Sequence, residues 1–106
     1  MKVSNMISSK GNKIANQFVI GDVIITVKNE AGDAEIKGDM FQSYNSNIAF
    51  NCGRCIYLDV NKWDYSVITG KYRNQFLNET KKETQAKIDS GEYILTDLNG
   101  YTYFKK

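Results

Sequence analysis

Cys52-Gly53-Arg54-Cys55 is the segment whose residue types and spacing offer the most chemistry. Two thiols three positions apart can close a disulfide, supply half of a zinc site or exchange with other disulfides. A structural zinc site takes four ligands, usually two such pairs or one pair with histidines. The 106-residue chain has two cysteines and no histidine, so only a homodimer sharing its two pairs could build one. A thioredoxin-like thiol needs the pair at a helix N-terminus, where the dipole lowers its pKa. Here the segment leads into Ile56-Tyr57-Leu58, which reads as a strand. The spacing sets the two Cα atoms at the ends of a β-turn, close enough for a strained disulfide under oxidation. The plainest reading is a hairpin turn with reduced thiols, as a cytosol would keep them. A redox-sensitive or intersubunit disulfide and a shared metal stay open behind it.

Beyond the thiols the sequence offers little reactive chemistry. The missing histidine removes the commonest general base, the Ser/His and Cys/His nucleophile arrangements and the commonest metal ligand. Asp22, Asp33, Asp39 and Asp59 each fall at a turn, where a carboxylate satisfies local backbone amides. Phosphate-binding glycine loops and nucleophile elbows are absent. The expectation is a protein that is not an enzyme, with no catalytic residue, no cofactor and no metal of its own.

Binding residues are easier to find. Trp63-Asp64-Tyr65-Ser66 forms an aromatic corner ahead of a helix. Trp63 reads as a hydrophobic staple on the first turn, and Tyr65 suits either an interface anchor or a stacking platform. Lys71, Arg73, Lys81 and Lys82, with Lys62 and Asn74 near, outline a basic patch, although Glu79 and Glu83 sit among them. A charge-mixed helix surface is normally just solvated, whereas four clustered cations can bind phosphate in a salt-dependent way. The candidate partner-binding residues are therefore Tyr65, Lys71, Tyr72, Arg73, Lys81 and Lys82.

The elements that must hold these residues read as strands, then helices, then strands. Lys2–Ser8 alternates and is followed by the turn cluster Ser9-Lys10-Gly11-Asn12. Ala15–Ile20 and Val23–Val27 are β-branched runs split by Gly21-Asp22, which suits a type II′ hairpin turn. The clusters 29–33 and Gly38-Asp39 bracket Ala34–Lys37 and Met40–Tyr44, and Asn47–Phe50 with Cys55–Leu58 make a last pair. From Ser66 to Leu77, Ile68, Tyr72 and Phe76 recur every four residues beside Val67 and Leu77, the stripe of an amphipathic helix capped by Asp64 or Ser66. Thr80-Lys81-Lys82-Glu83 fits a capping box, and its helix runs through Ala86 and Ile88 to Ser90-Gly91 as a surface cover. Asn99-Gly100 between Tyr93–Asp97 and Tyr101–Phe104 predicts a closing hairpin. The fold class is α+β in a single domain over residues 1–106: an N-terminal antiparallel β-meander, two short helices and a C-terminal β-hairpin.

Composition agrees with that. Hydrophobic residues make up 42% and charged residues 25%, which is ordinary for a globular domain. There is no proline, so the turns rely on Gly, Asn and Asp. Residues 1–60 hold six charges of each sign, whereas residues 61–106 hold eight basic and six acidic, so the net +2 lies in the C-terminal half. That is weaker than the clustered basic face of a dedicated nucleic-acid binder. No apolar run approaches the roughly 20 residues of a membrane span, and the N-terminus lacks the apolar stretch of a signal peptide.

Phe41-Gln42-Ser43-Tyr44-Asn45-Ser46-Asn47-Ile48-Ala49-Phe50, Tyr57-Leu58-Asp59 and the run from Trp63-Asp64-Tyr65-Ser66 through Thr69-Gly70-Lys71 to Leu77 together carry a resemblance. They resemble a family of small proteins encoded by phages and prophages of Firmicutes and gut bacteria. That family pairs an F-x-S-Y-x-S/T-x-I/V-A strand with a W/Y-x-Y-S-x-T-T-x-K/R segment entering a helix. Glu79–Thr84 and Ser90-Gly91-Glu92-Tyr93 are similar too, so the likeness spans roughly residues 14–98. Ile68 stands where the family has one threonine of its pair, and Cys52 and Cys55 fall in a segment without counterpart. The resemblance brings no catalytic residue. It implies a phage protein working in the host cytoplasm by protein binding, as an inhibitor of a host enzyme or an anti-defence factor of the anti-CRISPR kind. The alternative is a small nucleic-acid-binding module of phage DNA metabolism. Partners are thus a host or phage protein, with nucleic acid second, no membrane, and a homodimer left open.

Overall fold

Strands whose successive residues point to opposite faces can build one sheet with two cores, and this chain does so. The computed structural model describes residues 2–29, 32–99 and 103–105. Its elements run β1 (Lys2–Ile7), β2 (Lys13–Asn29), β3 (Gly32–Ser43), β4 (Ser46–Asn51), β5 (Ile56–Asp59), α1 (Val67–Leu77), α2 (Lys81–Asp89), β6 (Tyr93–Thr96) and β7 (Tyr103–Lys105). The sheet order is β1-β2-β3-β4-β5-β6, with β7 attached to β2. Every pairing is antiparallel except β5–β6, which is parallel. Parallel neighbours need a crossover of a dozen or more residues, and α1 and α2 supply it. The α+β class holds, and the 13.2 Å radius of gyration matches the roughly 13 Å of a single domain this long.

Alternation divides the core. Phe41, Ala49 and Leu58 face the helices, where Tyr72, Phe76 and Trp63 pack on them. Their neighbours Met40, Phe50 and Tyr57 face the other way, together with Ile20, Val23, Ile25 and Leu98. Phe41 and Phe76 stack with ring centroids 5.8 Å apart, which fixes α1 to the middle of the sheet. Burying such side chains contributes about 1.5–3 kcal/mol each.

Three predicted turns resolve differently. Gly21-Asp22 does not reverse the chain: β2 runs straight through it, and the register with β3 shifts between Ile20 and Val23. One extra residue on β2 makes this a β-bulge, with Asp22 at φ 55° and its amide donating to Asp39 Oδ1 at 3.3 Å. Gly38-Asp39 likewise lies inside β3, Gly38 paired with Val23 on β2 and Asp39 with Asn51 on β4. A flexible pair with a polar neighbour signals a bend in the backbone but not its size, so two long bent strands were read as four short ones. At the C-terminus the hairpin does not form. β6 pairs with β5 in parallel and β7 pairs with β2, because the crossover helices deliver β6 to the open edge of β5. Gly100 of the predicted turn and Tyr101 and Thr102 of the strand after it, like Glu30 and Ala31 of the earlier cluster, lie outside the described residues.

Both helix starts follow the sequence signals. Ser66 is the N-cap of α1, accepting from the Thr69 amide at 3.1 Å. Thr80 and Glu83 form the full capping box of α2, a device worth about 1 kcal/mol. The inward face of α1 is the predicted one in part: Tyr72, Phe76 and Leu77 pack on the core as expected, with Thr69, Gly70 and Arg73 buried beside them, while Val67 and Ile68 face outward. The four-residue spacing of Ile68, Tyr72 and Phe76 is real, but the helix is rotated so that Thr69 takes the position expected of Ile68. The rotation follows from hydroxyl pairing, described next.

A candidate docking face at the helix junction

Where the chain turns from β5 into α1, polar side chains organise the corner. Ser66 donates to Thr69 Oγ1 at 3.0 Å, and Thr69 Oγ1 lies 2.8 Å from Ser43 Oγ on β3. Between Thr69 and Ser43 either hydroxyl can be the donor, because the Thr69 oxygen has a second lone pair beside the one that accepts from Ser66. Ser43 and Thr69 are fully buried, and buried hydroxyls need partners. The chain of three therefore rotates Thr69 inward and Ile68 outward. Ser43 belongs to the F-x-S-Y strand segment, and Ser66 and Thr69 to the helix-entry segment, so the two segments behind the resemblance meet in a structural clasp.

Arg73 forms the other half of the corner. It is fully buried, with its guanidinium 5.1 Å from the centre of the Trp63 ring. Nη1 donates to the Trp63 carbonyl at 2.6 Å and to Asp64 Oδ1 at 3.1 Å, and Nη2 donates to Asn74 Oδ1 at 2.9 Å. Lys81, from the start of α2, reaches Asp64 Oδ2 at 2.6 Å. Burial alone would raise the Asp64 carboxyl, but the hydrogen bonds and charges of Lys81 and Arg73 outweigh it and hold the pKa below its ordinary value. Asp64 thus links α1 to α2. Trp63 is not the staple expected, because the N-cap is Ser66 and the ring serves as a platform for Arg73.

This placement sorts the six candidate binding residues. Tyr72 belongs to the core and Arg73 is enclosed, so neither is a contact for a partner. Residue type marks them as apolar and cationic, but a residue's direction on a helix depends on which face the sheet claims. Tyr65 stays 41% exposed, and Lys71, Lys81 and Lys82 are all exposed. What sequence reasoning missed is the apolar part: Val67 is 90% exposed and Ile68 50%. Tyr65, Ser66, Val67, Gly70, Lys71, Asn74 and Lys81 line an open cleft of about 600 Å³, floored by Asp64 and Arg73. Lys62 stands 5.0 Å from the Tyr65 ring.

A second polar cluster secures α2. Glu79 accepts from Lys87 Nζ at 2.9 Å, from the Tyr93 hydroxyl at 2.6 Å and from the Thr84 hydroxyl. Burial pushes the Glu79 carboxyl up, but these hydrogen bonds and the Lys87 charge overcome it and lower the pKa. Burial, with Glu79 beside it, pushes Tyr93 up to about 12. A carboxyl lowered by folding stabilises the fold above its ordinary value, and that contribution is lost as pH falls. Urea unfolding of Glu79→Gln is therefore expected to differ most from wild type at neutral pH. The difference should shrink as pH drops below the ordinary carboxyl value of 4.5; an unchanging difference would mean that shape, not charge, matters there.

Among the described residues no three Cys, Asp or Glu side chains gather as a metal would need, and no helix is long and apolar enough to cross a membrane. A family profile described as "Family of unknown function (DUF8033)" matches residues 1–96. No curated protein and no solved structure matches the chain.

Proposed function

The chain belongs to that family of unknown function, and because membership carries no activity with it, we propose from the geometry that the protein acts by binding another protein through the α1 face. The observation behind this is Val67, an aliphatic side chain 90% exposed on a well-capped helix, beside half-exposed Ile68 and Tyr65. A contiguous apolar patch with a charged rim is what an interface core and rim require. Lys62 and Lys71 flank it, so the matching surface on the partner is apolar with acidic borders. On the family resemblance, that partner is a host enzyme or defence complex, the setting is the host cytoplasm, and the outcome is inhibition, as with an anti-CRISPR protein.

The nucleic-acid reading is weaker on the same geometry. Two of the four cations it depends on are already engaged, Arg73 inside the fold and Lys81 on Asp64. Phosphate binding that falls steeply with salt would restore it.

Val67→Asp with Ile68→Asp tests the proposal. Both positions are exposed, so stability is expected to stay within about 0.5 kcal/mol of wild type. Quantitative capture from host extract should recover a partner with wild type and lose it with the double variant. Equal recovery of the same proteins by both would sink the proposal.

A further inference from the structure

The turn between β4 and β5 brings its two thiols together on a held backbone. Cys52 Sγ and Cys55 Sγ lie 3.0 Å apart, and both cysteines are free and half-buried. The backbone is closed by the Cys52 amide donating to the Cys55 carbonyl at 3.2 Å, while the Cys55 amide donates to Cys52 Sγ at 3.2 Å. Strand β3 presses on the same place, since any side chain at Gly38 would collide with the Asn51 carbonyl and lie 2.9 Å from Cys52 Cα. The turn backbone that carries Cys52 therefore has little room to shift toward β3. Gly53 takes φ 90°, the left-handed geometry that lets so short a turn close. Arg54, which stands between the two cysteines in the sequence, is exposed and adds a cation to the same short turn.

We propose that this pair is a thiol–disulfide exchange site for small anionic disulfides of the glutathione type, in which Cys52 attacks and Cys55 resolves. Cys52 thiolate attacks one sulfur of the small disulfide, forming a mixed disulfide and releasing one small thiolate. Cys55 then loses its proton to solvent, attacks the Cys52 sulfur and displaces the second small thiolate. The two protein thiols are oxidised to a disulfide, and one small disulfide is reduced to two thiols. The division of roles follows the surroundings. Burial raises both thiols, but at Cys52 the hydrogen bonds from Cys55 and the turn backbone prevail and lower it, whereas at Cys55 the neighbouring Cys52 adds to the rise. The attacking sulfur is the one with more thiolate.

Intact-mass spectrometry of the folded chain after treatment with glutathione disulfide at neutral pH should show the loss of two hydrogens and no lasting adduct. Cys55→Ser should accumulate one glutathionyl adduct on Cys52, and Cys52→Ser should acquire its adduct severalfold more slowly. Should either variant fail to fold, limiting iodoacetamide on the wild-type chain should alkylate Cys52 severalfold ahead of Cys55. A wild-type chain that stays a dithiol, or that collects stable adducts on both cysteines, overturns the site. Equal alkylation of the two cysteines, or equal adduct rates in the two variants, overturns the assignment of roles.

Discussion

Gly38→Ala is expected to cost the fold about 3 kcal/mol or more, at the upper end of what one added methyl does to a packed interior. A Cβ built at Gly38 would collide with the Asn51 carbonyl oxygen and lie 2.9 Å from both Asn51 C and Cys52 Cα. All three are main-chain atoms of β4 and the turn after it, so no side-chain rotation relieves the clash. Either β3 and β4 part, costing the ladder that pairs Asp39 with Asn51 and Met40 with Phe50, or the turn lifts. Gly21→Ala is the control. A Cβ there meets only Asp39 Oδ1 at 3.5 Å and a main-chain oxygen at 3.7 Å, so urea unfolding should place it within about 1 kcal/mol of wild type. Equal stabilities for the two variants would mean that β4 does not cross Gly38 so closely. If the turn lifts instead of the strands parting, the thiols of Gly38→Ala should also react more alike than those of wild type.

Local signals were legible in proportion to how local their physics is. The capping box at Thr80 and Glu83 involves atoms three residues apart, and it stands where the sequence puts it. The same holds for the Cys52–Cys55 turn, and of the two cap candidates Asp64 and Ser66 the helix takes Ser66. Gly21-Asp22 and Gly38-Asp39 misled because the same residue types serve a reversal and a bulge, and only the partner strand decides between them. The helix face was legible as a period but not as a direction. Ser43 and Thr69 lie 26 residues apart, and nothing in the α1 sequence by itself announces that a threonine will be claimed by the sheet. Trp63 stands out in the sequence as a staple and Arg73 as a surface cation, because the turn that brings a cation over an indole is a property of the folded corner. The exposed Val67 emerged only once that rotation was known.

Arg73→Met is expected to lower stability by about 2–3 kcal/mol while leaving the chain folded. Truncating one partner of a buried ion pair often costs about 3–5 kcal/mol, mostly because a charge is left uncompensated. Here the charge left behind is milder: the Asp64 side chain is 29% exposed and keeps Lys81. The remaining loss comes from the Trp63 carbonyl and Asn74 amide oxygen, which lose their donors, and from the indole, which loses the cation stacked on it. Methionine fills much of the volume, so a cavity adds little. Arg73→Lys should recover only part of the loss, because one ammonium cannot reach all three acceptors at the angles the planar fork allows. The Asp64 carboxyl provides a second readout: without Arg73 its pKa should move back toward the ordinary value, measured by NMR titration. Folding then depresses Asp64 less, so the stabilisation that wild type holds above the ordinary carboxyl value and loses on acidification should be smaller in the variant. A variant as stable as wild type, with Asp64 unmoved, would show that the corner holds without its cation. Arg73 would then have to be explained by the partner that the neighbouring face receives, and not by the fold.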